Sequence, residues 1–166
     1  MLDAIDASVA VFVRGLTQLG AMLTKAEAHV AEAGAPSEAL LRARLAGDMY
    51  DLAAQVHWAG EAAKLSVDRL LGKESTPLPE DAKTFAALHE RLDAAIAHLG
   101  AVDAAALDAG LARTIEMRHR GGAKTFTGSR FLTEFAIPNF FFHLTVAYAI
   151  LRHEGVPLQK GDFLGP

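Results

Sequence analysis

Residues 137–152 read IPNFFFHLTVAYAILR, a nearly unbroken apolar run that contains one histidine, His143. Pro138 can occupy the first turn of a helix, where its missing N–H costs nothing. Gly155 is the expected left-handed C-terminal cap, and Pro157 prevents the helix from continuing. The run therefore predicts a buried last helix, in which His143 is either part of a ligand site or a hydrogen-bonded core residue.

Three earlier segments have apolar residues at three- and four-residue steps, the pattern of amphipathic helices with one buried face. The first carries Leu2, Ile5, Val9, Phe12, Val13, Leu16, Leu19, Leu23 and Ala26. The second is predicted as one long helix from Ser37 to Gly72, with Leu41, Leu45, Leu52, Val56, Ala59, Ala63 and Leu70 on its buried face. The third carries Phe85, Leu88, Leu92, Ile96 and Leu99 and ends at Gly100. Between the second and third, KESTPLPED at 73–81 predicts a loop that leads into the next helix.

The periodicity changes at residues 113–128, RTIEMRHRGGAKTFTG. Apolar and polar residues alternate on either side of Gly121 and Gly122, which predicts a β-hairpin with a glycine turn. A short helix is expected to start at Ser129. Together these segments predict one all-α domain over residues 1–166, a four-helix bundle with a small β-hairpin insertion before the last helix.

Composition narrows the classes of partner and chemistry. The length of 166 residues, of which 51% are hydrophobic, suits one folded domain. The net charge is -4 and no basic block is present, so we expect no nucleic-acid partner. The absence of cysteine excludes thiolate zinc sites and cysteine nucleophiles. Acidic residues near the N-terminus do not suit a secretion signal, so a cytoplasmic protein is expected. The last apolar run contains Glu134 and His143, which favours a buried helix over a membrane span.

Four polar residues are predicted to form a pocket inside the bundle. Asp48 and Gln55 lie seven residues apart, nearly two turns at about 3.6 residues per turn, so they would share a face of the second helix. Asn139 and His143 lie one turn apart on the last helix. Facing helices commonly build such sites, so the four residues are candidates for binding a small molecule. The alternative is a structural role, with Asp48 in a salt bridge and His143 as a core residue.

Catalytic residues cannot be assigned from these patterns. If the pocket is an active site, His143 is the candidate acid, base or single metal ligand, and Asp48 its orienting carboxylate or a second ligand. Two histidines one turn apart would suit zinc, but the positions four before and four after His143 are Asn139 and Ala147. His57 is predicted to face away from the pocket, on a solvent or subunit-contact face with Tyr50, Ala54, Trp58 and Glu61.

Three stretches resemble a known family: LLRARLAGDMYDLAAQV at 40–56, RLLGKE at 69–74 and IPNFFFHLTVAYAILRHEGVPLQKGDFLG at 137–165. They are similar to a bacterial family of unknown function within the DinB/YfiT-like superfamily. The resemblance implies a four-helix bundle that is usually dimeric. Many superfamily members are metalloenzyme candidates with a three-histidine site for zinc or nickel, and some resemble thiol transferases or metal-dependent hydrolases.

Only His143 matches the superfamily's ligand pattern, because Ala147 replaces its helix partner and the region from Asp48 to Gln55 replaces the helix-two histidine. The cofactor is left open: a divalent metal is compatible with the family, but the three-histidine site is incomplete. Two hypotheses follow. One is a homodimeric, DinB-like protein with a small-molecule pocket or a degenerate metal-dependent site. The other is a non-enzymatic interaction protein that acts through its dimer and its exposed faces.

Overall fold

Helices account for most of the residues that the structure describes, and one hairpin interrupts them there. A computed structural model describes residues 3–77, 82–119 and 122–165. The elements in chain order are a π-helical turn at Ile5–Val9, α1 (Ala10–Ala33), α2 (Ser37–Leu41), α3 (Leu52–Leu71), α4 (Phe85–Gly100), α5 (Ala104–Gly110), β1 (Thr114–His119), β2 (Gly122–Thr127), α6 (Gly128–Phe131), a second π-helical turn at Leu132–Ala136, α7 (Ile137–His153) and α8 (Lys160–Leu164).

The four long helices α1, α3, α4 and α7 form the predicted bundle, which the structure confirms. Helix α3 packs against both α7 and α4, and α1 packs against the same two helices. The buried face of α1 is the predicted one, with Phe12, Leu16, Leu19 and Leu23 fully enclosed. Burying such a face is what stabilises an amphipathic helix in water. Leu2 of the predicted face lies outside the described residues.

The second predicted helix is wrong in its first half. Helix α2 ends at Leu41, and residues 42–51 form a non-helical loop before α3 begins. Asp51 ends this loop as the N-cap of α3, where its Oδ1 accepts a hydrogen bond of 3.0 Å from the Ala54 N–H. A capping aspartate competes with helix propagation through its own position. As a consequence Leu45, predicted to be buried, is 43% exposed.

The hairpin is confirmed, and it lies before the last long helix. Strands β1 and β2 are antiparallel, with Thr114 opposite Thr127. Gly121 of the predicted turn lies outside the described residues, as does Pro79 of the predicted 73–81 loop. The base of the hairpin packs closely on the helices, because a Cβ on Gly128 would lie 2.1 Å from the Gly110 carbonyl oxygen. Thr127 caps α6, so that helix begins one residue before the predicted Ser129.

The C-terminal end follows the expected pattern. Gly155 has φ +87° and directly follows Glu154, the C-cap residue of α7. Helix α8 then folds back on α1, where Lys25 Nζ lies 2.6 Å from Asp162 Oδ1. Two helical stretches, Ile5–Ala33 and Gly128–His153, are long and apolar enough to cross a membrane, but core helices of soluble bundles meet the same criterion. The fold is compatible with a non-membrane protein.

Candidate functional site

His143 on α7 and Gln55 on α3 form a buried hydrogen-bonded pair. The Nδ1 atom of His143 lies 2.8 Å from Oε1 of Gln55, and the two residues are 8% and 1% exposed. The Gln55 amide nitrogen donates to the backbone carbonyl of Tyr50 at 3.4 Å, which turns Oε1 toward the imidazole. Oε1 can only accept, so Nδ1 of His143 carries the proton. In the neutral ring, Nε2 then holds the lone pair.

The surroundings of His143 favour its neutral form. Burial lowers the pKa of His143 from its ordinary value of 6.5, because the charged imidazolium loses hydration in the core. The Trp58 ring is stacked on the imidazole, with centroids 6.5 Å apart and planes at 28°. Phe142 meets the imidazole edge-on at 5.3 Å. His143 is therefore a neutral hydrogen-bond donor to Gln55 at pH 7.

Two cavities lie at the N-terminal end of α3, and Gln55 lines the first of them. The first, called here the Gln55 cavity, has a volume of about 230 Å³ and is lined by Asp48, Met49, Tyr50, Gln55 and Phe142. The second, called the Trp58 cavity, has a volume of about 290 Å³ and is lined by Tyr50, Asp51, Ala53, Ala54, His57, Trp58 and Ala82. Tyr50 lines both. Its ring is stacked on Trp58, with centroids 6.1 Å apart, so the two cavities flank one aromatic pair.

Of the four predicted pocket residues, Gln55 and His143 are joined by a hydrogen bond, and Asp48 lines the same cavity as Gln55. Asp48 is exposed and lies in the 42–51 loop, so the argument that placed it on a helix face with Gln55 is wrong. The loop nevertheless places Asp48 on the wall of the Gln55 cavity. Asn139 is half-buried on α7, and among the described residues it belongs to the lining of neither cavity.

The prediction that His57 faces solvent or a subunit is wrong. His57 is 6% exposed, and its Nδ1 accepts a hydrogen bond of 3.0 Å from Nη1 of Arg91 on α4. Glu61, assigned to the same outer face, is also buried. The reason is that α4 covers this side of α3 while α7 covers the other. The sequence does contain a sign that α3 is covered on more than one side, because small residues such as Gly60 allow a second helix to approach closely. Gly60 faces Ala95 of α4.

A second polar cluster lies at the other end of α3. The buried Asp68 carboxylate accepts hydrogen bonds from Ser75 Oγ at 2.5 Å and from His98 Nε2 at 2.7 Å. Burial alone would raise the pKa of Asp68, but these bonds and the charge of Lys64 lower it overall. Ser75 donates to the carboxylate rather than to His98, so the histidine is not placed as a base for the serine. The cluster ties the loop after α3 to α4.

The described residues do not fit the three-histidine metal centre of the superfamily. No group of three His, Cys, Asp or Glu side chains that could hold a metal occurs in residues 3–77, 82–119 and 122–165. His143 faces Gln55, a neutral amide that zinc and nickel rarely take as a ligand. The next turn of α7 presents Ala147, which has no donor atom.

The comparisons with known proteins agree with this fold. The family described as Domain of unknown function (DUF1993) matches residues 5–164. The crystal structure of a DinB family member protein from Shewanella denitrificans is 35% identical in sequence, with a TM-score of 0.89 over 97% of this chain and 91% of that chain. No curated protein matches the sequence. The chain therefore belongs to the DUF1993 family, a DinB-like family of unknown function.

Proposed function

We propose that the protein binds a small organic molecule in the Gln55 cavity. The observation that carries this proposal is the buried Gln55 amide on the wall of an open cavity, held in place by its hydrogen bond with His143. A few placed polar groups within apolar and aromatic walls are the usual composition of a small-molecule site. A volume of about 230 Å³ suits a ligand smaller than the drug-sized molecules that fill cavities of about 300–1,000 Å³.

In this proposal His143 is a positioning residue. It does not line the Gln55 cavity among the residues described, but its Nδ1–H holds the Gln55 amide that does. The amide is fixed at both ends, by His143 and by the Tyr50 carbonyl, so its orientation is set before a ligand arrives. Such preorganisation lowers the entropic cost of binding. The proposal is one of ligand binding, and a reaction is not needed to explain the geometry.

A ligand-observed NMR screen of a fragment library tests the proposal. Wild-type protein is expected to bind fragments that also change the fluorescence of Trp58, the single tryptophan. Phe142→Ala removes one aromatic wall and should weaken these fragments at least several-fold. Leu164→Ala, which changes an exposed apolar residue on α8, is the matched control and should leave affinity unchanged. If no fragment binds at millimolar concentration, or if both variants bind as the wild type does, the proposal fails.

A second candidate function is self-association, as the family resemblance implies. The observation that favours it is that Tyr50 and Phe142, at the mouth of the Gln55 cavity, are each 54% exposed. Large exposed aromatic side chains that adjoin one another often mark an interface. We propose a homodimer on this basis, and we propose a cytoplasmic location because the fold is compatible with a non-membrane protein. Light scattering should give twice the chain mass for the wild type and the chain mass for Phe142→Ser. A wild type that is monomeric at all concentrations rules out this candidate.

A further inference from the structure

The charged side chains that line the two cavities beside Tyr50 share one sign. Asp48 lines the Gln55 cavity and Asp51 lines the Trp58 cavity. Within residues 3–77, 82–119 and 122–165, no lysine or arginine belongs to either lining. An anionic ligand would therefore meet one carboxylate of like charge in either cavity, whereas a cationic ligand would meet a complementary charge.

Among the described residues, Arg44 and Arg91 each bond to residues that line these cavities. Arg44 donates to the carbonyl oxygen of Met49 at 3.3 Å and lies 3.5 Å from Asp51 Oδ2, so it organises the 42–51 loop. Arg91 donates to His57 from α4. Asp51 is committed to Arg44 and to its capping bond. The side chain of Asp48 has no hydrogen bond or ion pair with any described residue, so its carboxylate is the one available to a ligand.

The remaining walls of the Gln55 cavity suit the same kind of ligand. Tyr50 and Phe142 present aromatic rings, whose negative faces attract cations. Met49 adds a polarisable, flexible thioether. Such groups suit the apolar substituents of a ligand as well as its charge. They provide little for a strongly hydrated inorganic ion, which needs several oxygen ligands.

We infer that the Gln55 cavity selects organic cations, namely ammonium ions with apolar substituents, with Asp48 as the charged contact and Tyr50 and Phe142 as the aromatic walls. This inference rests on the proposed binding function and adds the chemical class of the ligand. The contact is at an exposed carboxylate, so a modest preference of about tenfold over a neutral molecule of the same shape is expected.

Three probes of similar shape and different charge test the inference: benzylammonium, benzyl alcohol and benzoate. Each is titrated into full-length protein while Trp58 fluorescence is excited at the long-wavelength edge of its absorption. The cation should bind about tenfold more tightly than the alcohol, and benzoate should bind least. Asp48→Asn should remove most of the cation's advantage and leave the alcohol's affinity unchanged. Asp93→Asn, the same change at an exposed position on α4, is the control and should behave as the wild type does.

The outcomes separate this inference from the proposed function. Equal affinity for all three probes would overturn the charge preference and leave small-molecule binding intact. A cation preference that persists in Asp48→Asn would overturn the assignment of Asp48. Failure of every probe to bind at millimolar concentration would contradict both proposals.

Discussion

At the residue scale, one amide group connects three parts of the site. Gln55 accepts from His143 on α7, donates to the Tyr50 carbonyl in the 42–51 loop, and lines the cavity from α3. The sequence predicted that Gln55 and His143 are near one another, because each lies on a face that points into the bundle. It could not predict which atoms meet, since that depends on how α3 and α7 are rotated. The contribution of the hydrogen bond between Gln55 and His143 to the free energy of unfolding can be measured.

The first prediction concerns the coupling between Gln55 and His143. Gln55→Leu and His143→Leu each leave one buried polar group without its partner and should each lower the free energy of unfolding by about 1–3 kcal/mol. The double variant removes both groups, so its loss should be smaller than the sum of the two single losses by about 1 kcal/mol. Urea unfolding of the four proteins measures this coupling. Strictly additive losses would mean that the hydrogen bond contributes nothing to stability.

The second prediction concerns pH. Burial lowers the pKa of His143 in the folded protein below its value of 6.5, so the unfolded chain binds this proton more readily. The contribution of His143 to the free energy of unfolding is therefore fully present above pH 6.5, and it is lost as the pH falls toward the pKa of the folded protein. His143→Gln should flatten this part of the stability curve between pH 7.5 and pH 5, measured by urea unfolding.

Asn139→Gln provides the control for this measurement, because it changes another polar side chain of α7 that has no titratable proton. Asn139→Gln should keep the wild-type slope between pH 7.5 and pH 5. An unchanged slope in His143→Gln would show that His143 titrates at the same pH in the folded and unfolded chains.

At the element scale, apolar spacing located the long helices but not the break in the second one. The stripe in α1 matched the buried residues because α1 buries one face only. Leu41 and Leu52 fit a continuous helical pattern, yet Asp51 caps a new helix between them. A cap is recognised by a side chain bonded to the backbone, which spacing alone does not reveal. Spacing alone also could not predict the burial of His57, because that depends on where α4 packs against α3.

The third prediction tests how closely two helices approach. A Cβ on Gly15 of α1 would lie 2.6 Å from Cζ of Phe140 on α7, a fully buried ring that cannot easily move aside. Gly15→Ala should lower the free energy of unfolding by about 1–3 kcal/mol through overpacking. A Cβ on Gly20, in the same helix, would be 3.8 Å from its nearest neighbour. Gly20→Ala should therefore raise stability by up to about 1 kcal/mol. Thermal unfolding compares the pair, and equal effects would contradict the close contact.

At the scale of the whole molecule, the bundle was predictable and its site only partly so. Four amphipathic segments have few ways to bury their apolar faces together, so the architecture followed from the pattern. The cavities depend on the path of the 42–51 loop and on the stacking of Tyr50 on Trp58, neither of which has a periodic signal. The sequence already shows that the three-histidine pattern is incomplete, because Ala147 stands one turn after His143. The last prediction follows from this difference.

The fourth prediction is that the stability of this protein does not depend on a divalent metal. A metal that binds only the folded state stabilises it by about 2.7 kcal/mol at a free concentration of 100 times Kd, so its removal lowers Tm. His143 donates from Nδ1 to Gln55 and has no second histidine or carboxylate grouped with it among the described residues, so no comparable contribution is expected. Protein purified without an affinity tag should have the same Tm before and after dialysis against a chelator, and elemental analysis should find far less than one zinc, nickel or iron per chain. Near-stoichiometric metal that is lost in a folded His143→Ala variant would contradict this prediction and restore the metalloenzyme hypothesis, with His143 as a ligand.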